Sequence, residues 1–168
     1  MLPDDAIIVC AAGLVLLALV AWISIVDLRR LVIPDTANLL LAVTGLAYGY
    51  LASGTFPWPS VAGALFLFLL LFLVRLMHSR IRGKVGLGLG DVKLGGAAGL
   101  WLQPLDLPLL MLLASLSAIA GIIIVHTIRG GVLESRRLPF GPFLGVSLIA
   151  VWFCEALLHP GFNYSGGL

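Results

Sequence analysis

The chain has 168 residues, 61% hydrophobic and 11% charged, with a formal net charge of +2 and a mean hydropathy of +1.14. Soluble domains carry about 25% charged residues, so this composition excludes a water-soluble globule and reads as an integral membrane protein. Its two cysteines form no CxxC pair, which excludes a zinc ribbon.

A membrane-crossing helix needs about 20 mostly apolar residues. Six apolar stretches are present, at 6–26, 37–52, 58–77, 92–102, 107–128 and 142–158. The second is short. The fourth is shorter still, and extends either back into a glycine-rich loop or forward past Gln103-Pro104. The first is expected as a retained helix, because Asp4 and Asp5 stand where a signal peptide carries basic residues and the apolar run is too long for one. Asp27 ends it. The following loop, 28–36, breaks at Val32-Ile33-Pro34, since a residue before proline avoids the helical region. Asp35 or Thr36 is then placed to cap the second helix, in which Asn38 and Thr44 are expected to make hydrogen bonds between helices. Loop 53–60 is a turn with Trp58 as an interfacial anchor. Loop 78–90, containing His78, is basic and then glycine-rich. Gly95, Gly96, Ala97, Ala98 and Gly99 give the fourth helix a small face that lets neighbouring backbones approach, which predicts a central position. His126 is expected at the inner interface. Residues 129–138 lead into Pro139-Phe140-Gly141-Pro142, a rigid entry to the sixth helix, in which Glu155 is read as snorkelling or locally hydrogen-bonded. Cys10 and Cys154 are expected in buried apolar packing toward the same outer side, with a disulfide left open.

The basic residues are Arg29, Arg30, Arg75, Arg80, Arg82, Lys84, Lys93, Arg129, Arg136 and Arg137. With six spans, every one falls on or beside the loops after the first, third and fifth helices. The positive-inside rule puts those loops in the cytoplasm. The expected fold is an all-α integral membrane bundle of six transmembrane helices, both termini outside, forming a single domain over 1–168.

Two carboxylates stand out. Asp27 at the end of the first helix and Asp91 at the start of the fourth lie at similar depth, and charge beside a bilayer is a functional candidate by default. Two carboxyls sharing a site cannot both ionise freely, so the pair holds one proton. One can then deprotonate a water while the other polarises a carbonyl, with no metal or cofactor. Gly88 and Gly90 allow close approach to Asp91, and a helix N-terminus favours its charge. The structural alternative makes Asp91 a plain helix cap and Asp27 a partner for Arg29 or Arg30. No HExxH spacing and no serine or cysteine in a nucleophile setting is present; Gly86–Gly90 lacks the Gly-Lys-Ser/Thr ending of a phosphate loop. The cations at 80–84 lack interleaved aromatics, so no nucleic acid is expected as partner.

Gly86-Leu87-Gly88-Leu89-Gly90-Asp91-Val92-Lys93-Leu94 and the small residues after it resemble the type IV prepilin peptidase family, GxGD aspartic proteases of bacterial and archaeal membranes. Asp27-Leu28-Arg29-Arg30-Leu31-Val32-Ile33-Pro34-Asp35 is similar to the family's first-aspartate segment. Leu138-Pro139-Phe140-Gly141-Pro142-Phe143-Leu144 is similar to its segment before the last helix. The resemblance implies an aspartic endopeptidase with Asp27 and Asp91 as catalytic residues, supported by Gly88, Gly90, Lys93, Pro139 and Gly141. Its substrates would be prepilins or pseudopilins, carrying a short basic leader and an apolar helix, cut at the cytoplasmic face of a bacterial inner membrane. Longer members also bear an insertion with two CxxC pairs and methylate the new N-terminus with S-adenosylmethionine. This chain has no CxxC, so zinc and methylation are not carried over, and its size resembles the short members that serve Flp/Tad-type pili or the archaeal pilin and flagellin peptidases, of which the resemblance favours the bacterial Flp/Tad type. Because the inner loops are themselves basic, Asp35, Glu134 or anionic lipid headgroups are expected to offset their repulsion of a basic leader. Two rivals remain open: a small transporter binding cations or relaying protons on the two aspartates, and a non-catalytic pilus-assembly component.

Overall fold

A computed structural model describes residues 3–83, 86–128 and 139–158. These form helices α1 (Pro3–Arg30), α2 (Asp35–Ser53), α3 (Trp58–Arg82), α4 (Leu89–Gly99), α5 (Leu107–Ile128) and α6 (Gly141–Leu158), with a short 3-10 turn at Pro104–Asp106. No strand occurs among the described residues. Lys84, Arg129, Glu134, Arg136 and Arg137 lie outside them.

Each apolar stretch is therefore helical, although the fourth helix extends back into the glycine-rich loop to Leu89 and ends at Gly99, short of residue 102. Among the described residues three segments are long and apolar enough to cross a membrane, namely Ala6–Arg30, Trp58–Ile81 and Pro104–Ile128, with Gly141–Ala156 a shorter apolar helix. Much of the outer surface is hydrocarbon: Leu14 is 70% exposed and Phe66 64%. Such a surface is at home in lipid, where aliphatic side chains cost nothing to expose.

Several helix ends differ from the expectation. α1 continues one turn past Asp27 to Arg30 and closes on Leu31, whose φ of 54° is left-handed. The Leu31 N–H donates back to the Asp27 carbonyl at 2.8 Å, a common way to end a helix. That extra turn leaves Asp27 inside the bundle and Arg29 and Arg30 exposed. Pro34, rather than Asp35 or Thr36, is the capping residue of α2, and no side chain caps it. Its carbonyl instead accepts the N–H groups of Ala37 and Asn38 at 3.1 and 3.2 Å. His78 lies in α3, which runs on to Arg82 and ends at left-handed Gly83. Thr44 bonds to the carbonyls of Leu40 and Leu41 in its own helix, because a helical threonine reaches the preceding turn more easily than a neighbour. Cys10 and Cys154 are free and exposed on the apolar surface, neither buried nor joined.

α4 is central, as its small face predicts. It packs against α2, α3 and α6, while α1 packs on α6 and α2, and α5 on α6. Residues 94–99 of α4 are all buried. A Cβ on Gly99 would stand 2.7 Å from the Ala64 Cα in the backbone of α3, so only glycine allows that crossing. The core is formed by Leu16, Val20 and Ile23 of α1, Leu41 of α2, Leu67 of α3, Leu94 and Ala98 of α4, and Leu144 and Leu148 of α6. Trp101 closes it beyond α4. Its indole N–H donates to the Leu41 carbonyl at 2.8 Å, and its ring stacks on Tyr48 at 5.7 Å. In a bilayer such close packing and buried hydrogen bonds, more than hydrophobic burial, hold helices together.

Candidate functional site

Asp27 is 4% exposed. Its Oδ2 accepts the Gly141 N–H at 2.9 Å. Gly141 is the first residue of α6, so that N–H is one of the donors a helix start leaves without a partner. The next residue, Pro142, has no N–H to offer. Asp27 thus caps α6 from another helix, 114 residues away in sequence. The approach depends on glycine, since a Cβ on Gly141 would lie 2.8 Å from Oδ2 and 3.3 Å from Cγ. Phe140 closes the same turn by accepting the Leu144 N–H at 3.1 Å. Pro139, half-buried just ahead, stiffens the entry.

Asp91 is the third residue of α4, after the capping residue Gly88. From that position a carboxylate reaches back to the backbone N–H of the capping residue, and the Asp91 carboxylate accepts such a bond from Gly88. Here too the approach is close, because a Cβ on Gly88 would lie 2.7 Å from Asp91 Oδ2 and would push the carboxylate aside. Asp91 precedes the fourth apolar stretch, 92–102, and stands outside the three spanning segments. Its carboxyl is pushed up to about 6, mainly by burial and then by the charge of Asp27, against the lowering effect of the Gly88 bond. The two acids therefore feel one another. Each is held by the backbone of a glycine at the start of a helix, α6 for Asp27 and α4 for Asp91.

The surrounding residues fix this arrangement. Gly90 packs on Ile33, which a Cβ would approach to 3.1 Å, and its carbonyl accepts from Asn38 Nδ2 at 3.4 Å. Asn38 is thus the interhelical bond the sequence suggests. Arg75 on α3 donates from Nη1 to the Leu87 carbonyl, which ties the glycine-rich turn to α3. The charge of Arg75 inside an apolar run was the signal for this role, although its partner could not be read from spacing. Lys93 does not turn toward the acids. Its Nζ donates to Asp35 Oδ1 at 2.7 Å, so α4 is bridged to α2. Neither Arg29 nor Arg30 forms an ion pair with Asp27 among the described residues.

His126 is exposed at the far end of α5. Glu155 lies half-buried on α6, on the helix that Asp27 caps but near its opposite end. Among the described residues no group of three or more His, Cys, Asp or Glu is arranged to hold a metal. An apolar groove of about 500 Å³ lies between the first halves of α3 and α5, lined by Phe66, Leu70, Pro104, Pro108 and others. It is at the opposite end of the bundle from the acids, and its lining is hydrocarbon, so it takes no part in their chemistry.

Residues 14–125 match the type IV leader peptidase family, a stretch that includes Asp27 and Asp91 but stops before Gly141. A prepilin leader peptidase/N-methyltransferase of Pectobacterium carotovorum subsp. carotovorum is 36% identical over 155 residues, 90% of this chain and 52% of that protein. One from Aeromonas hydrophila is 32% identical over 139 residues, 81% of this chain and 47% of the relative. A type 4 prepilin-like proteins leader peptide-processing enzyme of Escherichia coli O78:H11 is 33% identical over 149 residues, 86% and 53% respectively. The chain spans about half the length of these curated relatives. No solved structure matches it.

Proposed function

The chain belongs to the type IV leader peptidase family, and from that premise we propose that it is an aspartic endopeptidase that removes the leader of type IV prepilins or pseudopilins, with Asp27 and Asp91 as its catalytic pair. The observation that carries this reading is the pair itself. Two acids 64 residues apart in sequence are each held by a glycine backbone at a helix start, and the charge of one raises the other.

With one proton between them, the pair suits amide hydrolysis. The ionised carboxylate takes a proton from a water, whose oxygen attacks the scissile carbonyl carbon. The protonated carboxyl gives its proton to the carbonyl oxygen as the tetrahedral intermediate forms. On collapse the C–N bond breaks as the proton taken from water passes to the leaving amine, and one hydroxyl of the intermediate returns its proton to the other carboxylate as the product carboxyl forms, so the pair ends with one proton as it began. The Gly141 and Gly88 N–H groups and the two helix dipoles offset the cost of holding a charge in an apolar surrounding. Orientation comes from the same contacts, because each carboxylate is tied to backbone rather than to a mobile side chain.

The membrane placement follows from charge. Among the described residues Arg29, Arg30, Arg75, Arg80 and Lys93 all lie toward the end of the bundle where the acids sit. By the positive-inside rule this end faces the cytoplasm, which supports six spans with both termini outside, in the bacterial inner membrane. The leader would be cut there while the substrate's apolar helix stays in the lipid. On resemblance the substrates are Flp/Tad-type pilin precursors, and cleavage needs neither zinc nor S-adenosylmethionine.

The test is co-expression with candidate pilin precursors, reading the mature N-terminus by mass spectrometry. Asp27→Ala and Asp91→Ala should each abolish leader removal while the protein still inserts and accumulates. Near-normal cleavage by either variant would count decisively against the pair.

A further inference from the structure

The ion pair between Asp35 and Lys93 is left unused by the hydrolysis itself. Lys93 Nζ and Asp35 Oδ1 are 2.7 Å apart, with the two side chains 39% and 75% exposed. Lys93 stands two residues beyond Asp91 on α4. Asp35 opens α2, the helix whose Asn38 holds Gly90, next to Asp91. The pair thus joins the two helices that fix the position of Asp91.

The charges at this end are unbalanced. Arg29, Arg30 and Arg80 are exposed there. Asp27 is buried and Asp91 half-buried, and both carboxylates accept backbone bonds. Among the described residues Asp35 is the exposed carboxylate at this end, and Lys93 already neutralises it. A cationic peptide arriving here meets repulsion from the arginines unless a carboxylate is released to it. Exposed ion pairs are weak and exchangeable, so one ammonium or guanidinium can replace another on Asp35 at little net cost.

We propose that Asp35 is the docking carboxylate for a basic side chain of the leader, and that Lys93 is an internal stand-in which the leader displaces. This rests on the leader-removal reading above. It makes Asp35 a residue that sets specificity for leader charge, and it makes Lys93 a competitor of the substrate. Exchange on Asp35 would also set the register of the bound chain, because a leader anchored at the start of α2 presents its next residues toward Asp91 on the adjoining α4.

The experiment uses the full chain in liposomes with three synthetic prepilin segments that differ only in leader charge: basic, neutral or acidic. Asp35→Asn should raise KM for the basic leader about fivefold, in line with one exposed charge pair. It should leave kcat, and KM for the neutral leader, within about twofold. The doubly exchanged variant, Asp35→Lys with Lys93→Asp, keeps an ion pair between α2 and α4 but should prefer the acidic leader over the basic one. If that variant instead regains the wild-type preference for the basic leader, the pair is only a brace and the proposal falls. An equal loss on neutral and basic leaders after Asp35→Asn overturns it as well. Failure of every variant, wild type included, to cut any leader would refute the peptidase reading rather than the docking role.

Discussion

Gly141→Ala is the sharpest test of the geometry around Asp27. The new methyl would stand 2.8 Å from Asp27 Oδ2, 3.3 Å from Cγ and 3.4 Å from Cβ, closer to the oxygen than ordinary van der Waals contact allows. Neither partner yields easily, because Gly141 is fixed by the first turn of α6 and Asp27 is 4% exposed. The carboxylate must rotate away, and the 2.9 Å bond from the Gly141 N–H is lost. A hydrogen bond to a charged group contributes about 1.5–3 kcal/mol. If that loss falls on the transition state it lowers kcat by about tenfold to about a hundredfold. The assay is initial-rate leader removal at saturating substrate, with thermal unfolding of the detergent-solubilised protein alongside. Stability should fall too, but less when Gly141→Ala is made in an Asp27→Ala background, where the clash has gone. A kcat within twofold of wild type would show that Asp27 does not depend on this contact, and the reasoning would fail.

Two further outcomes are expected. The Asp91 carboxyl is pushed up to about 6, so the singly protonated pair is lost as pH rises through that value. The rate should hold below about pH 6 until the second carboxyl also takes up a proton, and should fall toward tenfold per unit above it; a pH–rate profile that climbs through pH 8 refutes this. Arg75→Leu removes the donor to the Leu87 carbonyl and should lower kcat about tenfold, by the cost of a charged hydrogen bond, with normal membrane accumulation. Arg75→Lys should recover part of the rate, and full activity of the leucine variant would show that the glycine-rich turn holds itself.

Local signals in the sequence announced their elements well, while long-range partners stayed hidden. The Val32-Ile33-Pro34 break and the small face at 95–99 are written in backbone chemistry, and α2 and α4 lie where these predict. The end of α1 was misjudged because polar Asp27-Leu28-Arg29-Arg30 looks like a loop, whereas in a membrane protein a helix often continues into the interface. Asp27 and Asp91 were recognisable as charges in an apolar chain. That Asp27 is held by Gly141 was not, since no periodicity links residues 114 apart. The Asp35–Lys93 pair was missed for the same reason, and Lys93 was instead grouped with the acids it adjoins in sequence. Asp35 reads from the sequence as a helix cap, but Pro34 takes that position and Asp35 pairs with Lys93 instead.

The brevity of α4 ties these features together. Its 11 residues rise about 16 Å at 1.5 Å each, about half of a hydrocarbon core. A helix of that length starting at the charged end stops within the bundle, where bare backbone groups are costly. The chain meets the cost locally: Leu100 and Trp101 donate to Ala97 and Ala98, Asp106 donates to Gln103, and the Trp101 indole reaches the Leu41 carbonyl. Below the acids the bundle is thus sealed by Trp101, Tyr48 and Trp152 and by the packed core. Above them stand the exposed ends of α1 and α2. The half-length helix therefore does two things at once, because its start supplies the N–H group and dipole that hold Asp91 while its buried end packs into the apolar core.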